Sequence, residues 1–252
     1  MVPLALAAVW FGAPFLPALV ALLGAGMGWE WARLSRLDSP VAVVLAIAGP
    51  FVAVVAMAMG HGFAAWSLAA LFAAGVGVAE RDLRLRLWGV VATLWIALPC
   101  VAILWLDRGP VGWQRIFYLF AVVWASDIGA FAFGRLVGGP KLAPALSPNK
   151  TWAGAIGGLA SAMVIGGLGA AAVTANPPGL LLAISAFVAI AAQLGDLAES
   201  FAKRCFHVKD SGGLIPGHGG LLDRLDSLLA AAMALALALA AVQSAAPPPW
   251  AP

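Results

Sequence analysis

The sequence predicts an all-α fold, a polytopic transmembrane bundle of eight or nine helices. Three observations predict it. The 252 residues are 63% hydrophobic and 10% charged, whereas a soluble domain is about half apolar and about a quarter charged. The apolar residues form long runs, and a helix needs about 20 of them to cross the hydrocarbon core. These runs end at charge clusters or at Gly/Pro-rich stretches, where helices are expected to break.

Eight apolar runs are each long enough for one membrane-spanning helix. They lie at residues 15–32, 40–58, 63–79, 88–106, 114–134, 152–174, 179–200 and 222–242. Residues 2–13 are apolar as well, but Pro14 and Pro17 follow closely. Because proline interrupts a helix, we expect a short first helix or a half-inserted segment there.

The distribution of basic residues predicts the orientation. The loops at 33–39, 80–87, 135–151 and 201–224 hold twelve of the fourteen Lys and Arg residues. The alternate loops hold only Arg108 and Arg115. The positive-inside rule therefore places the four basic loops in the cytoplasm and the C-terminus outside. The same rule explains the net charge of +3, so no nucleic-acid partner is expected.

Acidic side chains within the apolar spans are the first candidates for a site. Asp127 lies in one span and Asp196 in another. A carboxylate in a span is costly, so it faces a polar cavity or a partner. A structural ion pair with a neighbouring arginine is the alternative for each. Asp196 begins a polar face at helical spacing, which continues through Glu199, Ser200, Lys203 and Arg204.

A second cluster of charges stands in the stretch KDSGGLIPGHGGLLDRLDS, residues 209–227. Asp223 and Asp226 repeat the acidic spacing at the start of the last helix. The helix dipole favours acids there and would explain one of them, but not the acidic face on the preceding helix. The glycines let backbone amides approach an anion closely, whereas His218 is equally consistent with a loop hydrogen bond and a ligand contact.

The segment 134–154, GRLVGGPKLAPALSPNKTWAG, is a third candidate. Pro144 and Pro148 predict a non-helical chain up to Lys150 and Thr151, where a span begins. A helix N-terminus with a lysine and a threonine hydroxyl suits a phosphate. Paired carboxylates, basic residues and glycine-rich loops together suit Mg²⁺-assisted chemistry on phosphates.

The C-terminal stretch resembles the phosphatidate cytidylyltransferase (CDP-diacylglycerol synthase) family. The family pattern S-x-x-K-R-x₄-K-D-x₅-P-G-H-G-G-x-x-D-R-x-D is matched at every fixed position between Ser200 and Asp226. WASDIGAFAFGR (124–135) and KLAPALSPNKTWAG (141–154) are also similar to the family. The N-terminal half matches only as apolar spans ending in WEWARL (29–34). We therefore divide the chain into N-terminal transmembrane helices, 1–112, and a C-terminal catalytic region, 113–244, which carries the 200–226 motif.

The resemblance implies a nucleotidyltransferase of phospholipid biosynthesis that converts CTP and phosphatidic acid into CDP-diacylglycerol and pyrophosphate. It implies Mg²⁺, with a second cation possible, and a multi-pass enzyme of the inner (plasma) membrane. A homodimer among membrane lipids, with its active site facing the cytoplasm, is also expected. The expected metal ligands are Asp196, Asp223 and Asp127. The expected catalytic residues are Ser200, Lys203, Arg204, Lys209, Asp210 and Asp226. The expected substrate-binding residues are Asn149, Lys150, Thr151, Gly217, His218, Gly219, Gly220 and Arg224.

Asp196 and Asp223 are central to this hypothesis. If they share a cation, their carboxylates should lie within about 4–6 Å of each other. In the metal-free protein, we expect repulsion to make one of them hold a proton or take a Lys or Arg counter-ion. The alternatives are a CTP-dependent lipid kinase, a CDP-archaeol-type synthase and an ion-coupled transporter. Transporters place such residues near the midplane between repeats, whereas these charges cluster towards one face.

Overall fold

The computed structural model describes residues 2–173, 178–214 and 219–245. This part of the chain contains nine α-helices, as the sequence predicts. They are α1 (Val2–Phe11), α2 (Phe15–Ser35), α3 (Pro40–Ala58), α4 (Gly62–Ala79), α5 (Leu83–Leu106), α6 (Gly112–Leu136), α7 (Trp152–Val173), α8 (Pro178–Cys205) and α9 (Leu222–Ala245).

Eight of the helices in the described residues are long and apolar enough to cross a membrane. The exception is α1, whose ten residues form the short first helix that was one of the two expectations for this segment. The chain is thus an integral membrane protein with the predicted number of spans.

Helices α5 and α8 extend furthest beyond the apolar runs. Helix α5 begins at Leu83 rather than at residue 88, because the Asp82 side chain accepts a hydrogen bond from Leu85 N at 2.9 Å and caps the helix. Its first turns therefore carry Arg84 and Arg86, which the sequence placed in a loop. Helix α8 continues past residue 200 to Cys205, so Lys203 and Arg204 lie in its last turn.

A short antiparallel hairpin adds the strands β1 (Lys141–Ala143) and β2 (Ser147–Thr151). Lys141 pairs with Thr151 and Ala143 with Ser147, with an irregularity in register between the two pairs. The sequence predicts a non-helical segment here but not its pairing. Lys150 and Thr151 consequently end a strand, and α7 begins one residue later, at Trp152.

The chain forms two compact units. The first contains Met1–Trp113 and Ala202–Leu225, and the second contains Gln114–Phe201 and Asp226–Pro252. In the first unit, α3 packs against α2, α4 and α5. Gly28 of α2 lies so close to the Ala46 backbone that a Cβ atom would collide with it, which is the close helix packing that small residues allow in membranes.

The second unit contains polar contacts between its helices. Gln193 Nε2 of α8 donates to the Ala155 carbonyl of α7 at 3.1 Å and to Ser126 Oγ of α6 at 3.4 Å. A Cβ atom on Gly158 would lie 2.7 Å from the Ser126 carbonyl oxygen, so this glycine is needed for the contact. Interhelical hydrogen bonds of this kind hold membrane helices in register.

Candidate active site

The first unit contains an ion pair between two of the predicted site residues. Lys203 Nζ of α8 lies 2.6 Å from Asp223 Oδ1 of α9. The side chains are 13% and 15% exposed, so protein shields the pair from water on most sides. Removing one partner of such a pair leaves an uncompensated charge, which is costly in a poorly hydrated site. Lys203 is therefore a counter-ion of Asp223, in agreement with the expectation that these carboxylates take a basic partner.

The other oxygen of Asp223 binds the glycine-rich loop. Asp223 Oδ2 accepts hydrogen bonds from Ser211 N at 2.9 Å, Ser211 Oγ at 3.0 Å and Gly220 N at 3.1 Å. These contacts tie the two ends of the 211–220 loop to one carboxylate. The loop consequently fixes the orientation of Asp223, while Oδ1 faces the Lys203 ammonium group.

Gly220 is required by this close packing. A Cβ atom at Gly220 would collide with Ser211 Oγ and would lie 2.8 Å from Asp223 Oδ2. Gly219 beside it adopts φ +83°, which side chains rarely tolerate. The sequence predicts that these glycines admit the nucleotide. In the structure, the Gly220 N–H group donates to Asp223 Oδ2, so this glycine holds its end of the loop against the carboxylate. Its contact with substrate stays a prediction.

A defined turn ends α8 just after Lys203. His207 adopts φ +55°, and Val208 N donates to Lys203 O at 3.0 Å, which is the Schellman arrangement. Phe206 in this turn packs edge-on against Trp31 of α2 and Trp88 of α5. This aromatic cluster anchors the end of α8, and with it the backbone that carries Lys203.

A buried glutamate that the sequence does not single out also contacts the residues around Asp223. Glu30 of α2 is fully buried. Its Oε2 accepts hydrogen bonds from Leu221 N at 2.7 Å and Leu222 N at 2.9 Å, and lies 3.4 Å from Ser211 Oγ. The signal was present, because Glu30 is an acid within an apolar span, like Asp127 and Asp196.

The second unit contains a similar ion pair. Lys150 Nζ at the end of β2 lies 2.5 Å from Asp196 Oδ2 of α8, with the side chains 27% and 37% exposed. Asp127 of α6 lies close enough to interact with the charges of both residues. The structure thus brings Lys150, Asp196 and Asp127 into one cluster. Asp223 belongs to the first unit, and its expected proximity to Asp196 stays a prediction.

Thr151 has a structural partner. It is buried, and its Oγ1 accepts a hydrogen bond from Gly154 N at 3.1 Å, so it caps the N-terminus of α7. The neighbouring Asn149 is exposed and Lys150 is half-buried. The cap orients the strand end that carries Lys150. Phosphate binding by Asn149 and Thr151 stays a prediction.

The remaining candidates differ in exposure. Asp226 is buried, and its Oδ1 accepts a hydrogen bond from Ser227 N at 2.8 Å. Ser200 is half-buried. The exposed candidates are Arg204, Lys209, Asp210 and Arg224. Gly217 and His218 lie outside the described residues.

The carboxylates of the described residues can be compared with the ligands that Mg²⁺ prefers. Among the described residues, no group of three or more His, Cys, Asp or Glu side chains could hold a metal ion. Mg²⁺ is usually bound through one or two carboxylates together with substrate phosphates and water. Asp196 and Asp223 supply oxygen donors of this type, so the residues fit a cation that arrives with a phosphate.

The fold is that of a polytopic membrane protein, and sequence comparison gives its family. Residues 1–242 match the profile of the cytidylyltransferase family. The chain belongs to this family, as its resemblance in the C-terminal half predicts.

Individual relatives are named phosphatidate cytidylyltransferase. The protein from Brucella suis biovar 1 (strain 1330) is 57% identical over 129 residues, which cover 51% of this chain and 47% of the relative. The protein from Staphylococcus haemolyticus (strain JCSC1435) is 50% identical over 119 residues, covering 47% and 46%. In these matches the chain spans about half the length of its relatives. The protein from Haemophilus influenzae (strain ATCC 51907 / DSM 11121 / KW20 / Rd) is 34% identical over 275 residues, covering 90% of both chains.

Proposed function

We propose that the protein is a phosphatidate cytidylyltransferase, which converts CTP and phosphatidic acid into CDP-diacylglycerol and pyrophosphate. Membership of the cytidylyltransferase family supports the reaction class. The observation that carries the assignment to these residues is the presence of two lysine–carboxylate pairs, Lys203–Asp223 and Lys150–Asp196.

Each pair is suited to exchange its partners when a metal–nucleotide complex binds. A lysine and an aspartate together are neutral, so neither leaves a net charge at the membrane. A cation can replace the lysine on the carboxylate, while a phosphate can replace the carboxylate on the lysine. After both exchanges the carboxylate still faces a positive group and the lysine still faces an anion, which matters because an uncompensated charge in a poorly hydrated site is costly. The pairs therefore favour binding of cation and phosphate together.

The proposed reaction needs no protein nucleophile. A phosphate oxygen of phosphatidic acid attacks the α-phosphorus of CTP and forms a new phosphorus–oxygen bond. The bond from the α-phosphorus to the α,β-bridging oxygen breaks, and pyrophosphate leaves with the electron pair. In transfers of this kind the protein contributes mainly positioning and charge stabilisation. Lys150 and Lys203 supply positive charge to the phosphates, and the exposed Arg204 and Lys209 extend it.

Asp196 and Asp223 are the residues that would hold Mg²⁺, and Asp127 is a candidate for a further cation. When bound, Mg²⁺ would neutralise charge on the triphosphate. The chain itself holds the carboxylates in place: loop donors bind Asp223 Oδ2, and Lys150 pairs with Asp196. A cytoplasmic active site, required for access to CTP, and a homodimer remain proposals from the sequence.

The substrate requirement tests this function. Purified protein in detergent–lipid micelles is incubated with CTP, phosphatidic acid and Mg²⁺, and released pyrophosphate is measured. Release is expected only when all three are present, and diacylglycerol in place of phosphatidic acid serves as the control. CTP consumption with diacylglycerol, or its absence under every condition, would contradict the proposal.

A further inference from the structure

We propose that Glu30 is a positioning residue of the cytidylyl-transfer site, and this inference rests on the proposed function. Glu30 lies in α2, far in sequence from the 200–226 motif. Its Oε2 accepts the backbone N–H groups of Leu221 and Leu222 at 2.7 and 2.9 Å. These groups belong to the start of α9, where backbone donors lack partners within the helix. Glu30 thus caps the helix that carries Asp223.

Glu30 also contacts the other end of the loop. Ser211 Oγ lies 3.4 Å from Glu30 Oε2 and 3.0 Å from Asp223 Oδ2. A hydroxyl has one proton, so Ser211 connects the two carboxylates and donates mainly to the nearer one. Gly212 packs directly on Glu30, because a Cβ atom there would lie 2.7 Å from Oε1. The Glu30 carboxylate therefore contacts the chain at the start of the 211–220 loop and directly after its end.

The burial of Glu30 indicates a role beyond packing. A fully buried glutamate in a membrane helix is costly, and its Oε1 has no hydrogen-bond partner among the described residues. An apolar residue would avoid that cost if the site needed only volume. Glu30 instead places an acceptor where two backbone donors converge, and charge-assisted hydrogen bonds of this type are strong. Through the loop, it keeps the Asp223 carboxylate oriented towards Lys203.

The test compares Glu30 with a matched buried glutamate in the same unit. Glu80 is also fully shielded, and its Oε1 accepts a hydrogen bond from Ser39 N at 3.0 Å, away from the loop. Glu30→Ala and Glu80→Ala variants of the full chain are reconstituted in lipid nanodiscs. Hydrogen–deuterium exchange is followed by mass spectrometry on the peptide that contains residues 219–224. Pyrophosphate release is measured on the same samples.

Loss of the Glu30 cap should speed exchange of this peptide at least about tenfold, since exchange reports local opening. Pyrophosphate release should fall at least about tenfold in parallel, because the Asp223 carboxylate loses the fixed orientation that the reaction requires. Glu80→Ala should change neither quantity by more than about twofold, because Glu80 does not contact the loop. Glu30→Gln keeps one acceptor for the two N–H groups, so its effects should be intermediate.

Unchanged exchange in Glu30→Ala would overturn the inference, whatever the activity. Faster exchange with unchanged pyrophosphate release would overturn it as well, because the loop would then not govern catalysis. Should the alanine variant fail to fold, Glu30→Gln carries the test with the same two readouts. A wild-type protein without CTP- and phosphatidate-dependent release would instead refute the proposed function, and the exchange data would still decide whether Glu30 orders the loop.

Discussion

At the scale of single residues, Asp223 is held at both oxygens of its carboxylate. One oxygen accepts three hydrogen bonds from the 211–220 loop, and the other pairs with Lys203. Such a network orients a carboxylate so that it can meet a ligand without reorganising. Positioning of this kind is where an enzyme of phosphoryl chemistry obtains much of its rate.

Asp223→Asn should reduce pyrophosphate release at least about 100-fold while the protein remains folded. Asparagine keeps the shape of the side chain and one acceptor oxygen, but it removes the charge that a cation and Lys203 require. Turnover and the thermal unfolding midpoint should be measured together. Asp82→Asn is the matched control, because Asp82 caps α5 and asparagine caps equally well. Near-normal turnover in Asp223→Asn would contradict a role in catalysis.

The sequence identifies the charged residues of the site better than their supports. Asp127 and Asp196 could be selected because a charge in an apolar span is costly, and Lys203 because it continues the polar helical face that Asp196 begins. Ser211 carries no such signal, and it matters only because the fold brings its N–H and hydroxyl to Asp223. Glu30 carried the signal, but its partners lie about 190 residues away in the chain, and no local pattern connects them.

At the scale of elements, the eight apolar runs correspond closely to the helices of the structure. The runs at 40–58 and 222–242, for example, became Pro40–Ala58 and Leu222–Ala245. Agreement is good because a span is defined by length and hydrophobicity, both of which are local properties. The errors fall where a polar cap decides the boundary, as Asp82 does for α5, or where pairing is needed, as in the β1–β2 hairpin.

Thr151→Ala should destabilise the start of α7 by about 1 kcal/mol, the usual value of an N-cap. The Thr151 hydroxyl is the acceptor for Gly154 N, and alanine leaves that donor without its partner. The thermal midpoint should fall by a few degrees, whereas Thr151→Ser should retain it. An unchanged midpoint in Thr151→Ala would show that the cap contributes nothing measurable to the stability of the protein.

At the scale of the whole molecule, the orientation in the membrane decides whether the proposed reaction is possible. Twelve of fourteen basic residues fall in four regions, at 33–39, 80–87, 135–151 and 201–224, that an eight-span topology places on one side. The positive-inside rule predicts that this side is cytoplasmic, where CTP is available. The same regions contain Lys150, Lys203 and Lys209, so the proposed site requires this orientation.

A reporter fused after residue 245 should therefore remain inactive if it functions only in the cytoplasm. The same reporter inserted in the 80–87 region, on the opposite side, should be active and serves as the control. Both fusions should be compared at equal protein levels. Strong activity of the C-terminal fusion would place the 201–224 loop outside the cell and would contradict cytoplasmic access to CTP.

The fate of the CTP phosphates distinguishes cytidylyl transfer from phosphorylation of a lipid. CTP labelled at the α-phosphate or at the γ-phosphate is incubated with the purified protein, phosphatidic acid and Mg²⁺, and lipid and aqueous products are separated. Cytidylyl transfer predicts that the α-label enters the lipid fraction and that the γ-label appears in pyrophosphate. Entry of the γ-label into lipid, with the α-label left in CDP, would identify a kinase and would contradict the account given for Asp196, Asp223 and their lysines.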